Sequence, residues 1–228
     1  VTSKDRFSPF EFGLVICTAF GWSILISIYA LTLSRTVGES ANQNAFGNTH
    51  LLGIVLYEAI LTPVLLGILY ARGWRLADFR PGVSVGATVL GLGIYLLAYV
   101  GGWLVDVVLG LIFPVVQSGL ENIVAYQPST GPALASVVLA SVVNPVYEEV
   151  FVAAYVIEAL RPRFGVTTAV NVSVVIRASY HLYQGIPAFP FHAAYGLLQG
   201  YTYVRYGRLW PLIVSHALLD FVAFIQYV

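Results

Sequence analysis

Apolar residues fall into seven runs separated by short polar stretches, approximately 13–34, 51–71, 83–113, 131–160, 166–185, 189–206 and 209–228. A helix needs about 20 residues to cross the hydrocarbon core of a bilayer, and every run is near that length. The two runs close to 30 residues leave room for tilt, a kink or a second short segment. The pattern predicts an all-α fold, a polytopic membrane bundle of about seven to eight transmembrane helices forming a single transmembrane domain over 1–228. The first run is longer than a signal-peptide core and no small-residue cleavage site follows it, so it reads as a spanning helix. A re-entrant segment within 83–130 is compatible with the same pattern.

Composition agrees with this reading. The chain is 58% hydrophobic and 10% charged, with mean hydropathy +0.82, which leaves too few polar residues to cover a soluble globule. Eleven basic residues balance eleven acidic ones without a clustered basic surface, so nucleic acid is not an expected partner. No methionine appears and residue 1 is Val, which reads as a trimmed or engineered chain. The one cysteine, Cys17, lies in the first apolar run, where it is expected to be a small buried hydrophobe.

Lys and Arg collect in cytoplasmic loops of membrane proteins. With the N-terminus inside, Lys4, Arg6, Arg72, Arg75, Arg80, Arg161, Arg163, Arg205 and Arg208 all fall on the inner side and only Arg35 falls outside. The external connections 35–50, 114–130 and 186–188 carry turn residues, and loop 72–82 reads as an inner-face anchor. The chain shows no internal repeat, which argues against an inverted-repeat transporter.

Several ionisable residues interrupt the apolar runs. A carboxylate at the bilayer centre costs roughly 2.5–3.5 kcal/mol on the insertion scale, so each one is a functional candidate. Glu148 and Glu149 stand side by side, just after Asn144 and Pro145, and an interior proline is expected to kink the helix beside them. Adjacent helical residues point about 100° apart, so the two glutamates do not face one point equally; one is free for chemistry while the other holds a partner. Arg177 with His181, and His216 with Asp220, are spaced four apart and share a helix face. His192 is placed at the outer boundary as an interfacial residue, and Gly196/Gly200 as a packing seam. Glu58 and Asp106 read as interhelical hydrogen-bond partners or pore-facing groups. Asn171-Val172-Ser173 matches a glycosylation pattern, but inside a helix it carries none.

The stretches EEVFVAAY at 148–155, RASYH at 177–181 and HALLD at 216–220 occur in this order on successive apolar runs. Together they resemble the CPBP family of intramembrane proteases, the group of the CAAX prenyl endopeptidases and the bacteriocin-processing and self-immunity proteins. That family reads Glu-Glu-x-x-x-Arg, then Phe-x-x-x-His, then His-x-x-x-Asn/Asp, and the likeness covers about 131–228. Two positions depart from it: Ala153 stands where the family has arginine, and Arg177 where it has phenylalanine. Arg177 is expected to replace the missing guanidinium and pair with Glu149 or Glu148.

The resemblance implies an intramembrane endopeptidase acting on membrane-tethered or membrane-inserted peptides, such as a prenylated CAAX tail. Its catalytic set would be Glu148, Glu149, His181, His216 and Asp220, with Arg177 in support: Glu148 would activate water, His181 would bind or orient it, and His216 with Asp220 would line the oxyanion side, His216 donating while Asp220 fixes its orientation. Glu148, His181 and His216 would also make a Zn²⁺ ligand set, since three such ligands plus water define a catalytic zinc site. A metal-independent glutamate mechanism is the preferred expectation. The likeness to small bacterial and archaeal members implies an integral protein of a prokaryotic cell membrane, with lipid and a peptide or lipidated protein as partners. An inactive membrane scaffold or immunity-type binding protein is the second reading, and a proton-coupled transporter the third.

Overall fold

A computed structural model describes residues 7–34, 47–112, 131–185 and 188–228. Each apolar run becomes one helix: α1 (Pro9–Ser34), α2 (Asn48–Ala71), α3 (Val85–Ile112), α4 (Leu134–Phe164), α5 (Val166–Tyr180), α6 (Phe189–Tyr206) and α7 (Trp210–Ile225). Two short 3-10 turns, Leu76–Phe79 and Leu182–Gln184, lie between them, and there is no strand among the described residues. Most of the external connections, the possible re-entrant stretch beyond residue 112 and the side chain of Asp106 lie outside the described residues.

Four helices, α1 to α4, are long and apolar enough to span a membrane. α5 and α7, with 15 and 16 residues, are about 22–24 Å long at 1.5 Å per residue, short of the ~30 Å core. The chain is an integral membrane protein. Helix ends follow local chemistry: Pro190 and Pro211 open α6 and α7, where the missing amide costs nothing. Gly207 ends α6 in the left-handed region (φ 61°), donating its amide to the Tyr203 carbonyl at 2.8 Å.

α4 is the centre of the bundle. In its spanning stretch 67% is buried, against 22, 17 and 17% for α1, α2 and α3. It packs on α2, α5 and α7, while α5 also packs on α1 and α6, and α3 lies against α7. α4 changes helix type along its length: it is α-helical over Leu134–Glu148, a span that contains Pro145, π-helical over Glu149–Tyr155, and α-helical again over Val156–Phe164. Such π turns are rare and tend to occur at functional sites.

Close approach between helices depends on small residues. A Cβ on Gly200 would sit 2.8 Å from Val170 Cγ1, and one on Gly196 would sit 3.2 Å from Val174 Cγ2, so this pair forms the α5–α6 seam. Cys17, expected inside, is exposed on α1, because that helix turns Val15 and Ala19 inward instead.

One end of the bundle is tied by two acids, the buried Glu11 and the partly buried Glu158. Glu11 accepts from Arg72 Nε at 2.9 Å, Trp74 Nε1 at 3.0 Å and the Tyr155 hydroxyl at 3.3 Å. Glu158 meets Arg80 at 3.2 Å and Arg161 at 2.6 Å, and accepts from the Tyr203 hydroxyl. The loop between α2 and α3 also accepts backbone bonds from the start of α7, Leu209 to Arg80 and Trp210 to Pro81. These contacts make loop 72–82 an anchor, as its charges suggested.

Gly91 and Gly93 lie two apart on α3 and differ in what surrounds them. A Cβ on Gly91 would fall 2.8 Å from both the Pro211 carbonyl and Val214 Cβ, whereas Gly93 has open space. Gly91→Ala is expected to destabilise the protein by about 1–3 kcal/mol and Gly93→Ala to leave it unchanged. Thermal unfolding in detergent checks this, and equal midpoints for the two variants would contradict the α3–α7 packing.

Candidate active site

Four of the ionisable residues singled out from sequence meet where α4, α5 and α7 pack together. Glu149 and Glu148 leave α4 at the junction of its α and π segments, Arg177 comes from the last turn of α5, and His216 from the middle of α7. Arg177 is 2% exposed, Glu149 0%, Glu148 5% and His216 5%, so the cluster is shut away from its surroundings. A buried charge needs a partner of opposite sign, with its remaining donors and acceptors used.

Glu149 carries most of the pairing. Its Oε1 accepts from Arg177 Nη2 at 2.7 Å and lies 2.7 Å from His216 Nδ1. Arg177 Nη1 lies 3.5 Å from Glu148 Oε2, a longer contact, so the guanidinium fork touches both glutamates but holds one of them firmly. Glu148 is fixed by neutral donors instead. The Tyr180 hydroxyl donates to its Oε2 at 2.5 Å, and Asn144 Nδ2 donates to its Oε1 at 3.2 Å.

His216 turns its other nitrogen toward carboxylates as well, with Nε2 3.5 Å from Asp220 Oδ1 and 3.8 Å from Glu148 Oε2. The nearest partner of this imidazole is therefore Glu149, although the family resemblance implied Asp220 as the group that orients it. Asp220 stands at the edge of the cluster, 16% exposed, with Oδ2 unbonded among the described residues.

His181 ends α5 and makes no bond to either glutamate among the described residues. Its ring stacks on that of His192, with centroids 4.0 Å apart and planes 8° apart, and also lies against Tyr180 at 4.6 Å. Its Nδ1 is buried without a partner. His192, expected at the interface, is 8% exposed and bonds Gln184 through Nε2 at 2.8 Å. The reason is local: the 3-10 turn Leu182–Gln184 folds back, so the first turn of α6 faces the end of α5.

Tyr180 was not apparent as a site residue in the sequence. It follows Arg177 by three, so helical spacing put it on the same face, but a tyrosine in an apolar run carries no charge to mark it. Its ring stacks on Phe20 of α1 at 5.0 Å, and its carbonyl accepts from Ser27, so α1 fixes the phenol that reaches Glu148. Ser173 is buried and donates to the Val152 carbonyl at 2.6 Å, so the apparent glycosylation pattern is part of the α4–α5 packing.

As a Zn²⁺ site, the set Glu148, His181 and His216 does not fit this arrangement. Among the described residues, no three His, Cys, Asp or Glu side chains form a group suited to a metal ion. The Arg177 guanidinium, itself a cation, already lies against both glutamates.

The fork geometry gives a direct expectation. Arg177→Lys keeps the charge but replaces a planar fork with a point donor, which does not reach both glutamates. It is expected to cost about 1–3 kcal/mol of stability, read as a lowered unfolding midpoint in detergent. A midpoint equal to that of the unsubstituted protein would show that charge alone is enough.

Residues 130–222 match the family model described as Type II CAAX prenyl endopeptidase Rce1-like. No match was found to a curated protein or to a solved structure. The matched stretch runs from the start of α4 nearly to the end of α7 and holds Glu148, Glu149, Arg177, His181, His216 and Asp220. The likeness carried by the three sequence motifs thus extends over the helices that build the buried cluster, and over residues 130–222 this chain is similar to the Rce1-like, type II CAAX prenyl endopeptidase family.

Proposed function

We propose that the protein is an intramembrane endopeptidase that hydrolyses peptide bonds in membrane-tethered or membrane-inserted substrates, with Glu148 as the general base. The observation that carries this reading is the division of labour between the two glutamates. Glu149 is committed through Oε1 to Arg177 and His216 at 2.7 Å each, its Oε2 being buried without a partner among the described residues, whereas Glu148 is held by Tyr180 and Asn144 and keeps a looser relation to the charged groups. A general base needs a lone pair not already committed to a cation.

Glu148 Oε2 and His216 Nε2 lie 3.8 Å apart, a spacing at which one water or substrate oxygen bonds both. Glu148 takes a proton from that water as its oxygen adds to the scissile carbonyl. The carbonyl oxygen gains the negative charge and is stabilised by donation from His216, which Glu149 orients through Nδ1. Collapse of the intermediate breaks the C–N bond, and Glu148 returns the proton to the leaving amine. Arg177 holds Glu149 in place, supplying the guanidinium that the family carries at the position of Ala153. His181, stacked on His192 and tilted against Tyr180, bounds the site on the α5 side and presents its free Nδ1 to substrate or water.

The substrate class follows from depth and from the family. A cluster buried between membrane helices is reached by a chain that already lies in or on the bilayer, and a lipid-tethered peptide of the CAAX kind meets that condition. The test is cleavage of a panel of fluorogenic, lipid-tethered peptides by purified protein in liposomes. Glu148→Gln is expected to leave the helical content unchanged and to lower the rate by at least about 10²-fold. A chelator is expected to leave cleavage intact; loss on chelation with recovery on added zinc would overturn the metal-independent mechanism. Cleavage surviving Glu148→Gln would overturn the role of Glu148, and a folded protein silent toward every peptide would favour a binding scaffold.

A further inference from the structure

Glu58 lies on α2, outside the stretch that matches the family, and is 5% exposed. Its Oε1 accepts from Asn144 Nδ2 at 2.8 Å, and the same nitrogen donates to Glu148 Oε1 at 3.2 Å. A carboxamide NH₂ carries two hydrogens, so one nitrogen serves two carboxyl groups at once. Turning the amide over would set its oxygen against these acceptors, so the neighbours themselves decide which way Asn144 points.

Asn144 precedes Glu148 by one helical turn, which puts the two side chains on one face of α4. Without a second partner, the carboxamide would be free to rotate away from Glu148. Glu58 removes that freedom from across the α2–α4 interface. With Asn144 on Oε1 and Tyr180 on Oε2, both oxygens of Glu148 are then tied, and the plane of the carboxyl group is set.

We propose that Glu58 is a positioning residue for Glu148, acting through Asn144, so that α2 takes part in the active site without touching substrate. The inference rests on Glu148 being the general base. A purely structural α2–α4 hydrogen bond would affect stability alone, whereas positioning affects turnover at constant substrate affinity.

In the full-length protein, Glu58→Ala is expected to lower kcat about tenfold, the equivalent of one hydrogen bond to a charged group, with KM within about twofold. Glu58→Gln, whose amide oxygen still accepts from Asn144, is expected to keep kcat within about threefold. Asn144→Leu should lower kcat as much as Glu58→Ala, and the double substitution should cost no more than either alone. Unchanged kcat in Glu58→Ala, failure of Glu58→Gln to retain activity, or losses that multiply in the double variant would each overturn the proposal. Should Glu148→Gln retain cleavage, or the unsubstituted protein cleave nothing, the base assignment falls, and the arrangement is judged by a readout without turnover. That readout is the infrared carboxyl stretch of Glu148, identified by its loss in Glu148→Gln. It is expected to shift in Glu58→Ala and Asn144→Leu and to hold in Glu58→Gln, and an unmoved band in all three would overturn the positioning role.

Discussion

A buried guanidinium shared between two adjacent glutamates is the constraint on which the rest of this site depends. Arg177 is 2% exposed in a membrane bundle, where an unpaired charge would cost several kcal/mol or more. Only Glu149 and Glu148 stand within ion-pair distance of it among the described residues. The pairing requires α5 to lie against the middle of α4, and the seam of Gly196 and Gly200 lets α6 close on the other side of α5. His216 then adds a second partner to Glu149 Oε1 from α7. Three helices meet at one charge cluster.

The cluster also accounts for the change of helix type in α4. In an ordinary α-helix, consecutive residues diverge by about 100°, and one guanidinium would struggle to meet both. Here the helix widens into a π segment at Glu149, and the planar fork spans the two carboxylates at 2.7 and 3.5 Å. The inequality of those distances is functionally meaningful. Glu149 is bound to two cation-forming groups, Arg177 and His216, whereas Glu148 takes neutral donors from Tyr180 and Asn144. The proposed chemistry follows from this asymmetry.

Much of this was legible in the sequence, for identifiable reasons. Seven apolar runs gave seven helices, because hydropathy and length alone decide where a chain crosses lipid. Spacing placed Arg177 on one face of its helix and His216 with Asp220 on another, and a cation beside two membrane acids has few places to go. The burial of His192 was not legible, because it depends on a three-residue turn folding back between α5 and α6, which no periodicity signals. Tyr180 was hidden by being uncharged, and the link from Glu58 through Asn144 to Glu148 crosses between helices 86 residues apart. Cys17 went the other way: a cysteine in an apolar run looks buried, but in a membrane protein the apolar surroundings are also the outside.

The most direct measurement on the central claim is a pair of double-mutant cycles on stability in detergent, Arg177→Met with Glu149→Gln and Arg177→Met with Glu148→Gln. The account predicts a coupling of about 1–3 kcal/mol between Arg177 and Glu149 and a clearly smaller one between Arg177 and Glu148. Coupling that is equal for the two glutamates, or larger for Glu148, would contradict the division between a structural acid and a catalytic one.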